Sequence, residues 1–364
     1  MPKRICHISP VSIHSTRWIE AFHKIGYDVS LITDFQTWVA QRPRNVPIYV
    51  LPTLFKTNVH RRLIANYLSI MRILRQIKPD LVHLHILHHY APVVDRTRVP
   101  YILHSWGIEV LELHKMSVFR KILSKYAATR AKRIVVDAEV MRKIWASVGI
   151  PQNRVDVIPF GVDTNLFNPN INGKPIRREL GIREDDIVVI SSRPFFPHYD
   201  IECLIKAIPI IVEMHKNVKF IIKGKGPLES SIKQLARKLD VDRYVRFTSP
   251  VAYQEVSKYL TAADIYVSTS FVDSTSVSLL EAMACGLPTV TTDIYGNREW
   301  IEHEINGLLY PPKDHKVLAD RIKQLIEDEH LRKQFGERSC RIVLERAEWE
   351  KCVSRMEEIY NELL

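Results

Sequence analysis

No apolar run in the 364 residues approaches the ~18 that a membrane span requires. No long apolar stretch follows the charges of Met1-Pro-Lys-Arg-Ile-Cys either. The expectation is a soluble, cytoplasmic protein. Cysteine is scarce: Cys6, Cys203, Cys285, Cys340 and Cys352 are odd in number, scattered, and form no Cys-x-x-Cys pair. That excludes a disulfide framework and a cysteine-built zinc site, and leaves core thiols. There is no internal repeat, no low-complexity segment and no recognised RNA- or DNA-binding motif. Acidic residues are short in one half only. Residues 1–165 carry 24 Lys and Arg against 11 Asp and Glu, whereas the remainder carries 28 against 30. The whole net charge of +11 therefore sits in the N-terminal half.

What is present is an alternation of short β-branched runs with helical stretches. In the first half, Arg4–Ser9, Asp28–Thr33, Leu81–His85, Tyr101–Ser105, Arg133–Val136 and Val155–Ile158 read as strands. In the second half, Ile187–Ser191, Lys219–Lys223, Val245–Thr248, Asp264–Thr269 and Thr289–Thr292 do so. Strands alternating with helices imply parallel, doubly wound sheets with right-handed crossovers. The length and an apolar content of 46% suit two domains. The polar, proline-bounded stretch Asp163–Pro175 is the expected linker. Two segments concentrate the basic charge. In Lys56–Lys78, Leu63, Tyr67, Ile70, Met71, Leu74 and Ile77 share a helical face, and Arg61, Arg62, Arg72, Arg75 and Lys78 fill the rest. In Lys115–Arg133, Phe119, Ile122, Leu123, Tyr126 and Ala127 alternate with Arg120, Lys121, Lys125 and Arg130. Both fit ordinary surface helices with solvated outer faces; their concentration in one half points instead to an anionic membrane surface or a lipid-linked acceptor.

The segment Phe271–Pro288 carries the most chemistry. The strand Asp264–Thr269 ends where Ser270–Ser276 turns polar, and helical periodicity begins near Val277 and stops at Gly286 and Pro288. Ser274, Thr275 and Ser276 are candidate N-caps. Free N–H groups and the positive end of a helix dipole then sit at the carboxyl edge of a strand, where open α/β sheets bind ligands and a diphosphate is stabilised. Glu281, about a turn inside, can accept hydrogen bonds from ribose hydroxyls. In the plainer reading, Glu281 completes a capping box with Ser278 and Asp273 is a solvated loop charge.

At these residues the chain resembles the retaining family-4 glycosyltransferases. Their pattern of an acidic residue, seven residues and Glu-Ala-Met-Ala-x-Gly-x-Pro is matched from Asp273 and Glu281 to Pro288. Asp273 replaces the commoner Glu, and Ser274 and Ser276 replace two glycines. Arg154–Pro169 resembles the family's interdomain strand and linker, and Asn297–Pro312 a segment near its C-terminal end. The resemblance implies a GT-B fold, two doubly wound Rossmann-like α/β domains facing a cleft. The acceptor-side domain would span residues 1–165 with a returning helix at 349–364, and the nucleotide-sugar domain 166–348.

The same resemblance assigns roles. Asp273 would meet donor-sugar hydroxyls, and backbone N–H groups of Thr275, Ser276 and Val277, with Ser274, the sugar and β-phosphate. Arg193 stands where the family has its phosphate arginine. The lysine expected five residues later is replaced by His198 and Tyr199, so His198, Lys223 or Lys225 would supply the second cation. Val251, beside Pro250, would edge the base. On the acceptor side, Trp106 occupies the usual position of the active-site histidine, and His104, two residues earlier on the same side of the strand, would take the catalytic role, with His85, His88 and His89 near the same site. His83 and His85 have the spacing of a metal pair but no matched carboxylate, so no metal is expected. The implied function is metal-independent retaining transfer of a sugar from a nucleoside diphosphate, UDP favoured, to a glycan or lipid-linked acceptor in surface polysaccharide or glycolipid synthesis. No cofactor beyond this co-substrate and no nucleic-acid partner is expected, and peripheral attachment at the inner membrane face accompanies the basic half. A sugar-nucleotide epimerase or phosphorylase on the same fold, or a non-catalytic subunit, are the alternatives.

Overall fold

A computed structural model describes residues 2–33, 42–52, 59–86 and 88–364, with the side chains of 59–63 and 108 outside that description. Of the first basic segment, Lys56 and the side chains of Arg61, Arg62 and Leu63 lie outside the described residues. The chain divides into two units, Met1–Pro159 with Cys352–Leu364, and Phe160–Lys351.

Unit 1 is built on a seven-stranded sheet of β1 (Arg4–Ile8), β2 (Asp28–Thr33), β3 (Ile48–Val50), β4 (Leu81–His85), β5 (Tyr101–Ser105), β6 (Arg133–Val136) and β7 (Val155–Val157). Its order is β3-β2-β1-β4-β5-β6-β7. Unit 2 has six strands, β8 (Ile187–Ser192), β9 (Val218–Lys223), β10 (Val245–Thr248), β11 (Ile265–Ser268), β12 (Thr289–Thr292) and β13 (Leu308–Tyr310), ordered β10-β9-β8-β11-β12-β13. Every pair is parallel. Helices on both faces supply the crossovers and bury the Val- and Ile-rich strands on both sides, which is why those strands read as continuous apolar runs. β3 and β13 escape the sequence reading because each is a three-residue edge strand, too short to set a period. In each sheet the order reverses once, between β1 and β4 and between β8 and β11, which places a ligand crevice at the carboxyl ends of those strands.

The expected linker is packed rather than open. Phe167 is fully buried, Val162 donates to the Ala347 carbonyl at 2.7 Å, and the Trp349 N–H donates back to Val162 at 2.9 Å. The returning helix Trp349–Leu363 buries Cys352, Val353, Met356, Ile359 and Tyr360, and its segment from Cys352 belongs to unit 1. Four of the five cysteines are buried and all five are free.

One face of the unit 1 sheet is apolar, with Cys6, Ile8, Val82, Leu84, Tyr101 and Leu103 in a single cluster. Successive residues of a strand face opposite ways, so His7, His83, His85 and His104 lie together on the other face. His7 is the register partner of His83, and His85 of His104. All four are buried beneath Trp18, Phe22 and Tyr360. His7 Nδ1 meets His85 Nε2 at 2.9 Å, His83 Nε2 meets His104 Nδ1 at 3.1 Å, and His83 Nδ1 meets the Tyr360 hydroxyl at 2.5 Å. The last bond fastens the C-terminal helix to the sheet.

Burial holds the pKa of His7 and of His104 down to about 3, and those of His83 and His85 well below the ordinary 6.5. The unfolded chain takes up protons on these rings below about pH 6.5, and the folded chain does so only well below that, near pH 3 for His7 and His104. Stability contributed by the neutral rings is therefore complete above that window and is lost as pH falls through it, by up to about 1.4 kcal/mol per pH unit for each ring. The urea midpoint should drop steadily between about pH 6.5 and 5, and His85→Phe should flatten that slope. A wild-type midpoint independent of pH over this range would mean that the rings protonate inside the fold.

Candidate active site

The carboxyl ends of β8 and β11 converge at the strand-order reversal of unit 2. After β11 the chain turns through Ser270–Thr275 and starts the helix Val277–Ala284, with Ser276 as N-cap; its Oγ accepts from the Leu279 N–H at 3.3 Å. Leu279, Leu280, Ala282 and Met283 are buried, and the helix stops at Gly286, whose φ of +75° suits glycine. Ser278 is not the cap. Its hydroxyl lies 2.7 Å from the Tyr266 hydroxyl and accepts from Arg193 at 3.1 Å, so the Ser278–Glu281 capping box considered from the sequence is not how this helix begins.

Arg193 follows β8 and is the hub of the site. Nη1 donates to Ser276 Oγ at 2.7 Å and Ser278 Oγ at 3.1 Å; Nη2 donates to Ser270 Oγ at 3.1 Å and pairs with the Asp273 carboxylate. The Tyr199 ring lies under the guanidinium, 4.2 Å from Cζ. The side chains of Arg193 and Asp273 are 7% and 17% exposed. Burial opposes the charge on Arg193, but the Asp273 carboxylate and the Tyr266 and Tyr199 hydroxyls outweigh it, and its pKa is raised. A buried cation is thus fixed beside a helix start, the arrangement that stabilises developing phosphate charge.

Tyr199 is itself strapped to β11. The Thr269 hydroxyl donates to the Tyr199 carbonyl at 2.6 Å, and the Phe271 N–H to the His198 carbonyl at 3.1 Å. The His198 ring is half-buried and lies against Tyr199, with ring centroids 4.1 Å apart and planes tilted by 54°. Glycines complete the support. A Cβ on Gly224 would collide with the Arg193 carbonyl, one on Gly226 with the Phe195 backbone, and one on Gly296 with the carbonyls of Asp273 and Ser274. The Phe195 N–H donates to the Lys225 carbonyl at 3.1 Å. The Lys-Gly-Lys-Gly run therefore shapes the Arg193 turn through its backbone. The sequence signal for this support is two glycines spaced by one after a strand.

The remaining predicted residues separate by environment. Glu281 is buried, and its charge acts on buried Lys223, whose pKa burial lowers while Glu281 opposes the shift. Lys225 is exposed. Ser274 and Thr275 are buried, with Thr275 Oγ1 accepting from Trp300 Nε1 at 3.4 Å. Val277 and Val251 are half-buried, Val251 against the cluster containing Phe167 and Tyr259.

In unit 1, His104 belongs to the buried histidine layer. Trp106 donates its backbone N–H to Glu109, and its ring meets His14 edge-on with centroids 6.0 Å apart. His88 departs from His85: it is buried with Nδ1 3.0 Å from Ser124 Oγ. One ring nitrogen from each of His7, His83 and His85 lies within 4.8 Å of the others. The His83 and His85 rings stack at 4.0 Å and 15°, so their lone pairs run side by side instead of converging on one point, and both nitrogens of His83 are already hydrogen-bonded.

Two family descriptions match the chain, "Glycosyltransferase Family 4" over residues 11–166 and "Glycosyl transferases group 1" over residues 173–341. An uncharacterized glycosyltransferase of Methanocaldococcus jannaschii is 26% identical over 301 residues, 78% of this chain and 75% of that one. The UDP-Gal:alpha-D-GlcNAc-diphosphoundecaprenol alpha-1,3-galactosyltransferase of Escherichia coli is 23% identical over 79% of this chain and 76% of its own length. The solved structure of Anabaena HepE in complex with UDP-glucose superposes with a TM-score of 0.83 at 18% identity over 99% of both chains, a likeness of fold. Matched over most of its length by these two descriptions and built on two parallel α/β sheets of the GT-B kind, the chain belongs to the family-4 glycosyltransferases.

Proposed function

We propose that the protein transfers a sugar from a UDP-sugar to a lipid-linked acceptor with retention of configuration and without a metal ion. The observation that carries this is the Arg193 fan at the strand-order reversal, beside the start of the helix Val277–Ala284. The diphosphate exchanges for part of the Asp273 and serine contacts on Arg193, and the N–H groups of Thr275, Ser276 and Val277 face its β-phosphate with Ser274 beside them. Glu281 binds the ribose, and Val251 edges the base. Asp273, released from Arg193, accepts from donor-sugar hydroxyls. Lys223 is a better second cation than Lys225, being buried and opposed to Glu281.

The bond from the anomeric carbon to the phosphate oxygen breaks, and the acceptor oxygen bonds to that carbon on the same face. The acceptor proton passes to the departing phosphate. No enzymic nucleophile is required, and no cofactor takes part beyond the nucleotide sugar. What this chain supplies is orientation and charge stabilisation of the leaving group. UDP is favoured because the Escherichia coli relative is named for a UDP-sugar and the Anabaena neighbour binds UDP-glucose. A lipid-linked acceptor fits both the diphosphoundecaprenol in that relative's name and the basic N-terminal half. Among the described residues no helix is long and apolar enough to cross a membrane, so contact with an anionic bilayer would be peripheral.

Calorimetry with UDP, GDP and ADP at matched salt should give tight binding of UDP alone, weakened about 10-fold or more, ~1.4 kcal/mol, in Glu281→Ala. Binding of another nucleotide would replace the donor class, and binding of none would remove the transferase reading. Tyr199 acts through Arg193. A cation–π contact of about 0.5–2 kcal/mol predicts a loss of roughly 2- to 30-fold in kcat for UDP-sugar hydrolysis in Tyr199→Leu, with most activity kept in Tyr199→Phe. Equal loss in both variants would assign the effect to the hydroxyl.

A further inference from the structure

The helix Val118–Arg130 of unit 1 is packed the wrong way round for an ordinary surface helix. Its buried residues are the small ones, Ser124, Ala127 and Ala128, while Val118, Phe119 and Ile122 are 72%, 69% and 61% exposed and Tyr126 is also outward. At 100° per residue the outward stripe of Val118, Ile122, Tyr126 and Phe119 lies about 180° from the buried stripe. The sequence pattern was compatible with a helix laying its large apolar residues on the sheet; the structure reverses that face. The other basic helix, Val59–Ile77, places Ile70 and Leu74 in the core and Arg72, Arg75 and Lys78 outward, with Ile64 and Leu68 also exposed.

Behind the exposed stripe lies a groove of about 760 Å³. Its walls are apolar, formed by Val110, Leu111, Leu113, Ile122, Ile144 and Val148. Lys121 and Lys125 also line it, and no ion pair or hydrogen bond is made by either ammonium group among the described residues. The Lys125 Nζ stands against Gly149, 4.0 Å from where a Cβ would be. An apolar trough bearing two uncompensated cations complements one chemistry, a hydrocarbon chain with an anionic head.

We infer that this helix seats unit 1 on an anionic bilayer, Val118, Phe119 and Ile122 entering the acyl region, with one chain of an anionic phospholipid lodged in the groove and its phosphate against Lys121 and Lys125. The inference rests on the membrane-linked reading above and names its contact surface. Exposed apolar area of this size has a reason to exist when a membrane covers it. The removal of large residues from the buried face keeps them available outside.

Flotation with phosphatidylglycerol–phosphatidylcholine vesicles, and calorimetry with a short-chain phosphatidylglycerol below its micellar concentration, test the two parts. Wild type should float with anionic vesicles and not with phosphatidylcholine alone. Phe119→Asp/Ile122→Asp should lower vesicle affinity at least 10-fold with an unchanged melting temperature, since both side chains are already in water. Lys121→Glu and Lys125→Glu should each cost roughly 5-fold and reduce the salt dependence. Ser147→Trp, which fills the groove from an exposed position, should abolish binding of the short-chain lipid. The inference is overturned if wild type does not float, if the double aspartate variant floats as wild type does, or if that variant instead dissolves a dimer seen by light scattering. Nucleotide binding measured on the same preparations separates the failures. Retained UDP binding without flotation removes this surface alone, and absent UDP binding removes the reading beneath it.

Discussion

The buried pair of Arg193 and Asp273 is the constraint around which unit 2 is arranged. An arginine inside a protein is tolerable only with its charge answered, and breaking one partner of such a pair strands a charge at a cost of about 3–5 kcal/mol. Here Asp273 answers the charge, and Ser270, Ser276 and Ser278 take up the Nη1 and Nη2 donors, while the buried Nε has no partner among the described residues. Those serines come from the turn and first helical positions after β11, so satisfying the arginine fixes the shape of that turn. Gly224 packs against the backbone of the same residue, Gly226 against the Phe195 backbone, and Gly296 against Asp273 and Ser274. A ligand that takes over the guanidinium must match this shell, which is how a structural necessity becomes a selective anion site.

Unit 1 obeys a different constraint. Four imidazoles occupy one face of its sheet, neutral, stacked and hydrogen-bonded, with the C-terminal helix tied to them through Tyr360. Rings so buried are poor candidates for taking a proton from an acceptor, which agrees with leaving that proton to the departing phosphate. Trp106 and His14 are more open to ligand, each being half-buried. The basic charge of this unit also divides into two uses. On the helix Val59–Ile77 it shares an outer face with exposed Ile64 and Leu68, and on Val118–Arg130 it borders a longer exposed stripe of Val118, Phe119, Ile122 and Tyr126.

Much of this was legible from residues alone. Val- and Ile-rich runs separated by helical stretches could only be parallel strands, and Ser276 before Val-Ser-Leu-Leu announced a helix start. Other features depend on contacts distant in sequence. Arg193 and Asp273 are 80 residues apart, and nothing in either segment says that the two charges neutralise each other. Ser278 looked like a cap because spacing shows what a side chain can reach locally, and it is Tyr266 and Arg193 that claim it. Periodicity likewise gave the stripe on Val118–Arg130 without its direction, since small residues such as Ala127 and Ala128 can be the buried face when neighbouring elements come close. That the His104 ring is buried could not be read from its segment, because Trp18, which covers it, is far away in sequence.

The central claim is that Arg193 holds the β-phosphate of the donor. Dissociation constants of UDP and UMP, measured on wild type and Arg193→Lys at fixed salt, test it most directly. Lysine keeps the charge but not the planar fork that reaches three serines. If the claim holds, UDP affinity falls about 10-fold or more while UMP affinity changes by less than about 2-fold, because UMP lacks the phosphate in question. Equal loss for both nucleotides, or no loss for UDP, would contradict it.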